Sequence, residues 1–362
     1  MKFPLDCIYT ASALGRGNSE TLENLLASRA PGMTEISGDI PGRSIWFGQI
    51  AGGIPEASDE SPNLRANMLL KMAVDAERGR FAALVGKYGA KRVGIVLGAS
   101  NTGVDEAERH VDKWLDSGEK PADFDFSELE LGTPAAYLKS VLGTEGPAYV
   151  ISTACSSSAK AFGAARRLVS FGICDAVVTG GVDGRCRFAM NGFHALGALS
   201  EGRCRPLAPD RDGINLGEAV ALFALERDRA GADVFLAGVG ESSDAYHATA
   251  PDPDGHGAEA SMRAAIADAA LDPAQIDYVN LHGTGTRAND DMEMKAVARV
   301  FGGAARMPRC ESTKSFTGHC LGAAGAIEAA LCCLLVSADK CRAALSNSFA
   351  FGGSNASVVI SA

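Results

Sequence analysis

The sequence predicts an α/β fold of mostly parallel, buried strands, and three observations carry that expectation. The runs VGIVLGAS at 93–100, AYVIST at 148–153 and DAVVTGG at 175–181 are strand-length and apolar throughout, unlike a sheet with one face in water. Alanine-rich stretches of helical period separate them. A second series starts near residue 232 with DVFLAGVGESSDA, passes through IDYVNLHGTGT at 276–286 and ends in ALSNSFAFGGSNASVVISA. In that last segment a glycine turn joins two strand-like runs. The segment ERDRAGA at 226–232 is the best boundary between lobes, dividing 1–228 from 229–362. No Pro/Gly/Ser-rich linker marks it, so both lobes are expected to share one core.

Composition limits the function. A net charge of −10 argues against a general nucleic-acid binder, which needs a basic stripe to neutralise phosphates. Ten cysteines are scattered without a CxxC pair or a Cys/His cluster at zinc-ligand spacing, so no metal site is expected. Most of them should be small core residues of a reduced, cytoplasmic protein. The first residues, MKFPLDCIYTASALG, lack the sustained apolar stretch of a secretory signal. The apolar stretch 326–338 is interrupted by Glu328 and is shorter than the ~20 residues that span a bilayer.

Three segments carry chemistry. AYVISTACSSSAKAFGAARRLVSFG at 148–172 reads as a strand, an abrupt small-residue turn and a helix, with Cys155 at the turn. The positive end of the helix dipole should favour thiolate there, lowering the pKa of Cys155 and making it nucleophilic. In LHGTGTRANDDME at 281–293 a strand delivers His282, and Gly283 and Gly285 keep the next loop thin. Thr284 and Thr286 could offer hydroxyls to an extended polar chain lying along that loop. In STKSFTGHCLGAAGAIEAALCCLL at 312–335, small residues allow close helix packing with His319 near the start. Lys314 and Glu328 flank this tight segment and are expected to form a partly buried pair.

Together these segments resemble the elongating beta-ketoacyl-acyl-carrier-protein synthases. The match rests on TACSSS around Cys155, HGTGT from His282, KSFTGHCLGAAGAIE from Lys314 to Glu328 and SFAFGGSN from Ser348 to Asn355. Weaker similarity runs through SALG at 12–15, LGTPAAYLKSVLGTEGPAY at 131–149 and RPLAPDRDGINLGEA at 205–219. The resemblance implies a thiolase-like fold, two similar α/β halves in a layered α-β-α-β-α core. It implies decarboxylative condensation of an acyl group on Cys155 with malonyl-carrier protein, without cofactor or metal. His282 and His319 would donate to the malonyl thioester carbonyl, and the amides of Cys155 and Phe351 would hold the second oxyanion. Lys314 and Glu328 would orient His319 and the local charges, and Asp290 and Glu293 would support the His282 loop. Thr284 and Thr286 would contact the pantetheine arm.

The resemblance further implies an acyl carrier protein as partner, docked by Arg65 and Lys71 or by Arg203 and Arg205. It implies a homodimer, or a heterodimer with a paralogue, paired through the strand at 175–181. Phe188, Met190 and Phe193 are candidates for the acyl pocket. The segments CRFAMNGFHALGALS at 186–200 and INLGEA are similar to synthases of aryl polyene pathways. Loops around 104–130 and 199–206 are trimmed, and Ala350 replaces the first glycine of the family's FGFGG turn, which should stiffen a gate at Phe351. Three rivals stand beside this reading. A catalytically silent, chain-length-type partner would typically lack the nucleophile, a thiolase would use a second cysteine as acid/base, and an initiating synthase would use Cys-His-Asn, which GHCLGAAG disfavours.

Overall fold

The computed structural model describes residues 2–55 and 64–362. Ten strands carry the main sheet: β1 (Phe3–Ser12), β2 (Val93–Gly98), β3 (Ala148–Ile151), β4 (Ala176–Asp183), β5 (Ala219–Glu226), β6 (Phe235–Ser243), β7 (Tyr278–Asn280), β8 (Arg309–Glu311), β9 (Ala343–Ala350) and β10 (Ser354–Ser361). Their order is β8-β7-β9-β10-β6-β1-β5-β4-β2-β3, with the short strand Gly15–Arg16 beside β1. One plan is used twice. The first five strands lie in the order 1-5-4-2-3, and the second five repeat it as 6-10-9-7-8, antiparallel pairs first and parallel pairs last. The halves join where β1 and β6 pair antiparallel at Phe3 and Leu236.

The sheet is therefore mixed, which corrects the expectation of a mostly parallel one. Each half spends its parallel pairings on strands reached through helical crossovers, whereas β9 reverses directly into β10 at a turn where Gly352 and Gly353 have φ of 79° and 71°. Apolar runs alone do not distinguish a covered antiparallel strand from a parallel one.

Burial explains the layers. The helices Ser157–Ser170 and Ala324–Ser337 pack on each other and on strands of both halves. Phe162, Val177, Phe223, Ala330 and Val358 belong to the apolar cluster around them. Within it, Phe162 and Phe223 meet edge-on at 5.0 Å, a contact of about 0.5–1.5 kcal/mol beyond its buried area. Ala324–Ser337 is buried all round, as an apolar helix without a polar stripe must be. The helices Arg65–Ala76, Arg78–Tyr88 and Thr133–Leu142 cover the outer face of the first half. His256–Asp268 and Arg287–Phe301 cover that of the second. The result is the α-β-α-β-α layering that the sequence implied.

Two glycines let the central helices come this close. A Cβ on Gly98 would lie 2.2 Å from the Ser158 amide nitrogen, and one on Gly325 would lie 2.7 Å from that of Ala159. The Ser158 hydroxyl then accepts from the Ala326 amide at 2.8 Å, pinning the two helices where the nucleophile loop begins.

A small second sheet joins Met33–Ile40, Arg43–Gly48 and Leu216–Gly217. Met190 is fully buried in the cluster beneath it, with Ile45, Phe47 and Leu216, and lines neither cavity beside Cys155. Its place as an acyl-pocket residue is corrected accordingly. The strand expected to pair across a two-fold axis, 175–181, falls on β4, and both its edges are occupied, by β2 and β5. The open edge of this half is β3, the strand that leads into Cys155.

Candidate active site

Cys155 sits between β3 and the helix Ser157–Ser170, on a turn held in an unusual conformation. Ala154 has a φ of 52°, left-handed for a residue with a Cβ, and the surrounding hydroxyls hold it there. Ser157 Oγ donates to the Ala154 carbonyl at 2.5 Å and accepts from the Thr153 amide at 2.9 Å. Ser156 Oγ donates to the Thr153 carbonyl at 2.9 Å. The sulfur is thereby fixed at the helix start and is 94% buried by residue, its exposure being 6%.

Burial overturns one expectation. The Cys155 thiol is pushed up to about 11 because desolvation disfavours the thiolate. The Lys314 charge and the amides of Phe351 and of Cys155 itself act the other way without prevailing. A helix end carries about half a charge, too little to repay the removal of water from a buried sulfur anion. Cys155 therefore rests as a thiol near neutral pH.

His282 follows β7, and His319 follows the short helix Lys314–Thr317. The reactive atoms of Cys155, His282 and His319 lie within 4.8 Å of one another, and the two imidazoles stand perpendicular at 5.2 Å. His319 is clamped by its backbone: its amide donates to Asn215 O at 2.7 Å, and its carbonyl accepts from the Gly217 amide at 3.1 Å. Its Nδ1 accepts from the Leu321 amide at 3.2 Å. The Nδ1 of His282 faces Lys314 Nζ at 3.4 Å. Both Nδ1 atoms thus meet donors, which assigns the ring proton to Nε2 in each. Burial first, and then the Lys314 ammonium, hold both imidazoles well below the usual histidine range. Each is a neutral ring with one N–H to give.

Lys314 and Glu328 form a fully buried ion pair, each side chain 1% exposed. Lys314 Nζ also donates to the His282 carbonyl at 2.6 Å, so this one ammonium ties His282 to the central helix Ala324–Ser337. Burial pushes the Glu328 carboxyl up to about 7 against the pull of Lys314, and its second oxygen has no partner among the described residues. Glu293 accepts from the amides of His282 and Gly283, both at 2.8 Å, and from Asn347 Nδ2 at 3.1 Å. Asp290 accepts from the amides of Leu207 at 2.9 Å and Gly285 at 3.2 Å. These contacts fix the loop that carries Thr284 and Thr286, whose hydroxyls are 2.9 Å apart. The Cys-His-His cluster has donors a soft metal could use, but the Lys314 ammonium against His282 opposes a cation there.

Two cavities meet at Cys155. One, of about 240 Å³, is lined by His282, His319, Thr284, Thr286, Phe193 and Phe351. The other, of about 280 Å³, lies beneath Phe188, Phe193, Leu196, Leu321 and Phe351. Phe193 and Phe351 stack at 5.7 Å and belong to both walls. Phe188 is 72% exposed, at the outer lip.

The basic residues are less uniform than the sequence suggested. Arg65 is not a free docking cation: its guanidinium binds the fully buried Glu218 carboxylate through Nε at 3.0 Å and Nη2 at 2.8 Å. Lys71 pairs with Asp75, and Arg205 pairs with Asp210 at 2.7 Å, both on the surface. Arg203 donates to the Ser315 carbonyl at 2.8 Å and lies over the Phe316 ring, on the short helix that begins at Lys314.

Sequence reasoning missed Asp183. This fully buried carboxylate accepts from the amides of Ser100 (2.9 Å), Asn101 (2.8 Å) and Gly322 (2.6 Å) and from Ser100 Oγ at 2.7 Å. Burial pushes it up to about 6. It binds the loop after β2 to the turn after His319. An acid closing an otherwise apolar strand, GGVD, was the available signal.

Comparison with known proteins agrees with this geometry. Residues 82–230 match the beta-ketoacyl synthase N-terminal domain, and residues 234–346 match the C-terminal domain. Nodulation protein E of Rhizobium meliloti is 34% identical over 301 residues, covering 74% of this chain and 75% of that protein. 3-Oxoacyl-[acyl-carrier-protein] synthase 2 of Staphylococcus aureus is 34% identical over 310 residues, covering 75% and 77%. Among solved structures, a chain of the ketosynthase (ApeO) in complex with its chain length factor (ApeC) from Xenorhabdus doucetiae superposes with a TM-score of 0.93. It is 37% identical and covers 99% of this chain and 98% of its own. With both domain models matched and the Cys-His-His cluster assembled, this chain belongs to the beta-ketoacyl synthase family and is a condensing acyltransferase.

Proposed function

We propose that the chain extends acyl groups by one malonyl-derived unit per turn, with Cys155 as the acyl carrier and His282 and His319 as the decarboxylation donors. The observation that carries this is the pair of imidazoles, each with Nδ1 engaged by a donor and Nε2 left to donate, and each with a ring nitrogen within 4.8 Å of the Cys155 sulfur. In the first half-reaction the Cys155 sulfur attacks the donor thioester. Its proton ends on the departing pantetheine sulfur, and the amides of Phe351 and Cys155 receive the oxyanion. In the second, the malonyl carbonyl oxygen accepts from both Nε2–H groups while the C–C bond to the carboxylate breaks and carbon dioxide leaves. The enolate carbon attacks the acyl-Cys155 carbonyl, forms the new C–C bond and expels the Cys155 thiolate, which takes a proton from solvent. Lys314, Glu328, Glu293 and Asp290 hold the histidine loops, and Thr284 and Thr286 line the approach of the pantetheine arm.

The substrates are acyl- and malonyl-loaded carrier protein. Arg203 and Arg205 are the candidate docking cations that remain once Arg65 is assigned to Glu218, with Lys71 paired nearby on its own helix. The test is to incubate the isolated protein with acyl-carrier protein and then with malonyl-carrier protein. An acyl adduct on Cys155 followed by 3-oxoacyl product supports the reading, and decarboxylation without any adduct refutes it. In the same assay Arg203→Glu should raise KM for carrier-bound thioester and spare a small N-acetylcysteamine thioester. Equal loss on both would reject the docking assignment.

The working unit is a dimer, homomeric or with a paralogue, formed along the open edge of β3. The edge strand is short and its outer groups lack a sheet neighbour among the described residues, the feature that invites pairing with a second chain. The likeness to a chain from a ketosynthase–chain length factor complex supports a paralogous partner. An active monomer in light scattering at micromolar concentration would overturn it.

A further inference from the structure

We propose that Asp183 is a positioning residue for decarboxylation: it holds the turn whose Leu321 amide keeps the His319 ring donating through Nε2. This rests on the reading of His319 as a decarboxylation donor. The His319 backbone is clamped by Asn215 and Gly217, but its ring is held through Nδ1, by the Leu321 amide at 3.2 Å. If that amide turns away, Nδ1 is free to carry the ring proton. Nε2 then becomes an acceptor, which opposes a developing oxyanion instead of stabilising it. Leu321 delivers its amide from a φ of 49°, a left-handed conformation that is costly for a residue with a Cβ. The neighbouring contacts must hold it there.

Asp183 does so through the next residue. Its Oδ2 accepts from the Gly322 amide at 2.6 Å and from Ser100 Oγ at 2.7 Å, while Oδ1 accepts from the amides of Ser100 at 2.9 Å and Asn101 at 2.8 Å. One carboxylate thus ties the turn after His319 to the loop after β2. The two run so close that a Cβ on Gly322 would lie 2.6 Å from Asp183 Oδ2 and 2.7 Å from the Ser100 amide nitrogen. The tie needs two accepting oxygens. An asparagine has one, and would turn an N–H toward the remaining donors. Asp183 is fully buried, and its oxygens are met by amides and a hydroxyl instead of a cation, a desolvation cost that a neutral tie would avoid. His282 is held by Glu293 and Lys314 instead, so the effect of Asp183 falls on one of the two rings.

The test is Asp183→Asn, which is nearly equal in volume. Malonyl decarboxylation should fall roughly 10–10²-fold, less than for loss of the donor itself, with KM for malonyl-carrier protein and acylation of Cys155 little changed. Nitrogen NMR of the imidazoles gives a readout that general loosening would not produce: His319 should pass from the Nε2–H tautomer to a mixture, and His282 should not move. In a His319→Ala background Asp183→Asn should cost no further decarboxylation, because the ring through which it acts is gone. Ser100→Ala keeps the carboxylate and removes the hydroxyl that Asp183 and the Gly322 amide share. It should show the same selective change to a smaller degree, and carries the test if Asp183→Asn does not fold. Equal loss in both half-reactions, a shift of both rings, or a further loss in the His319→Ala background would overturn the proposal. Unchanged decarboxylation in Asp183→Asn sinks this inference alone, whereas unchanged decarboxylation in His319→Ala sinks the reading of His319 as well.

Discussion

Cys155→Ala is expected to abolish condensation and leave no acyl adduct on the protein. Neither of the two thiols nearest in charge environment, Cys204 and Cys320, can take over. Cys204 and Cys320, which feel the same Lys314 charge, are fully or nearly buried and pushed up by desolvation, Cys204 to about 11 and Cys320 further. Neither lines the cavities at the catalytic cluster. The histidines do not depend on the sulfur for their positions, because His319 is clamped by Asn215, Gly217 and Leu321, and His282 by Glu293 and Lys314. The variant should therefore still release carbon dioxide from malonyl-carrier protein while making no 3-oxoacyl product. Separate measurement of carbon dioxide and product checks this. Continued chain elongation by the alanine variant would show that the nucleophile lies elsewhere.

His282→Ala and His319→Ala should each slow malonyl decarboxylation by roughly 10²–10³, the usual loss for a removed oxyanion donor. Acylation of Cys155 should survive better, because its oxyanion is held by backbone amides. Equal loss in both half-reactions would mean that the histidines act on the fold or the nucleophile. The pH dependence adds a second readout. Both rings are held well below the ordinary 6.5, so they stay neutral as the pH falls through that value. The rings should accordingly add no decline between pH 8 and 6.5, where the buried groups that titrate beside them are Glu328 and Glu293, both pushed up to about 7. Imidazole NMR signals that titrate near 6.5 would show rings that ionise normally and donate as imidazolium.

Much of the catalytic cluster was legible because local motifs bring their own geometry. A strand, a small-residue turn and a helix place Cys155, and HGTGT and GHCLG each deliver one histidine on a thin loop. What escaped the sequence was set by tertiary burial. The thiol of Cys155 is governed by desolvation in the assembled core, which no reading of the helix start alone could weigh. Arg65 looked like a surface cation because its partner Glu218 lies 153 residues away in the chain. Met190 and Phe193 share a helix three residues apart, yet one faces the small sheet and the other faces the nucleophile. The strand at 175–181, which the resemblance implied would pair across a two-fold axis, is flanked on both sides by β2 and β5, because sheet order comes from long-range pairing that a local segment does not carry.

The place of β1 has a consequence for how the chain reaches its native state. This strand has no complete set of neighbours until β5 and β6 emerge, more than 200 residues later in synthesis, since it lies between Leu225 and Leu236. Closing so long a loop carries a large entropic cost before any pairing compensates for it, and topologies of this kind fold slowly. Until then the ten-residue β1, nine of whose side chains are buried in the finished protein, has only the two-residue strand Gly15–Arg16 beside it. Nascent β1 is thus open to self-association while more than 200 further residues are made.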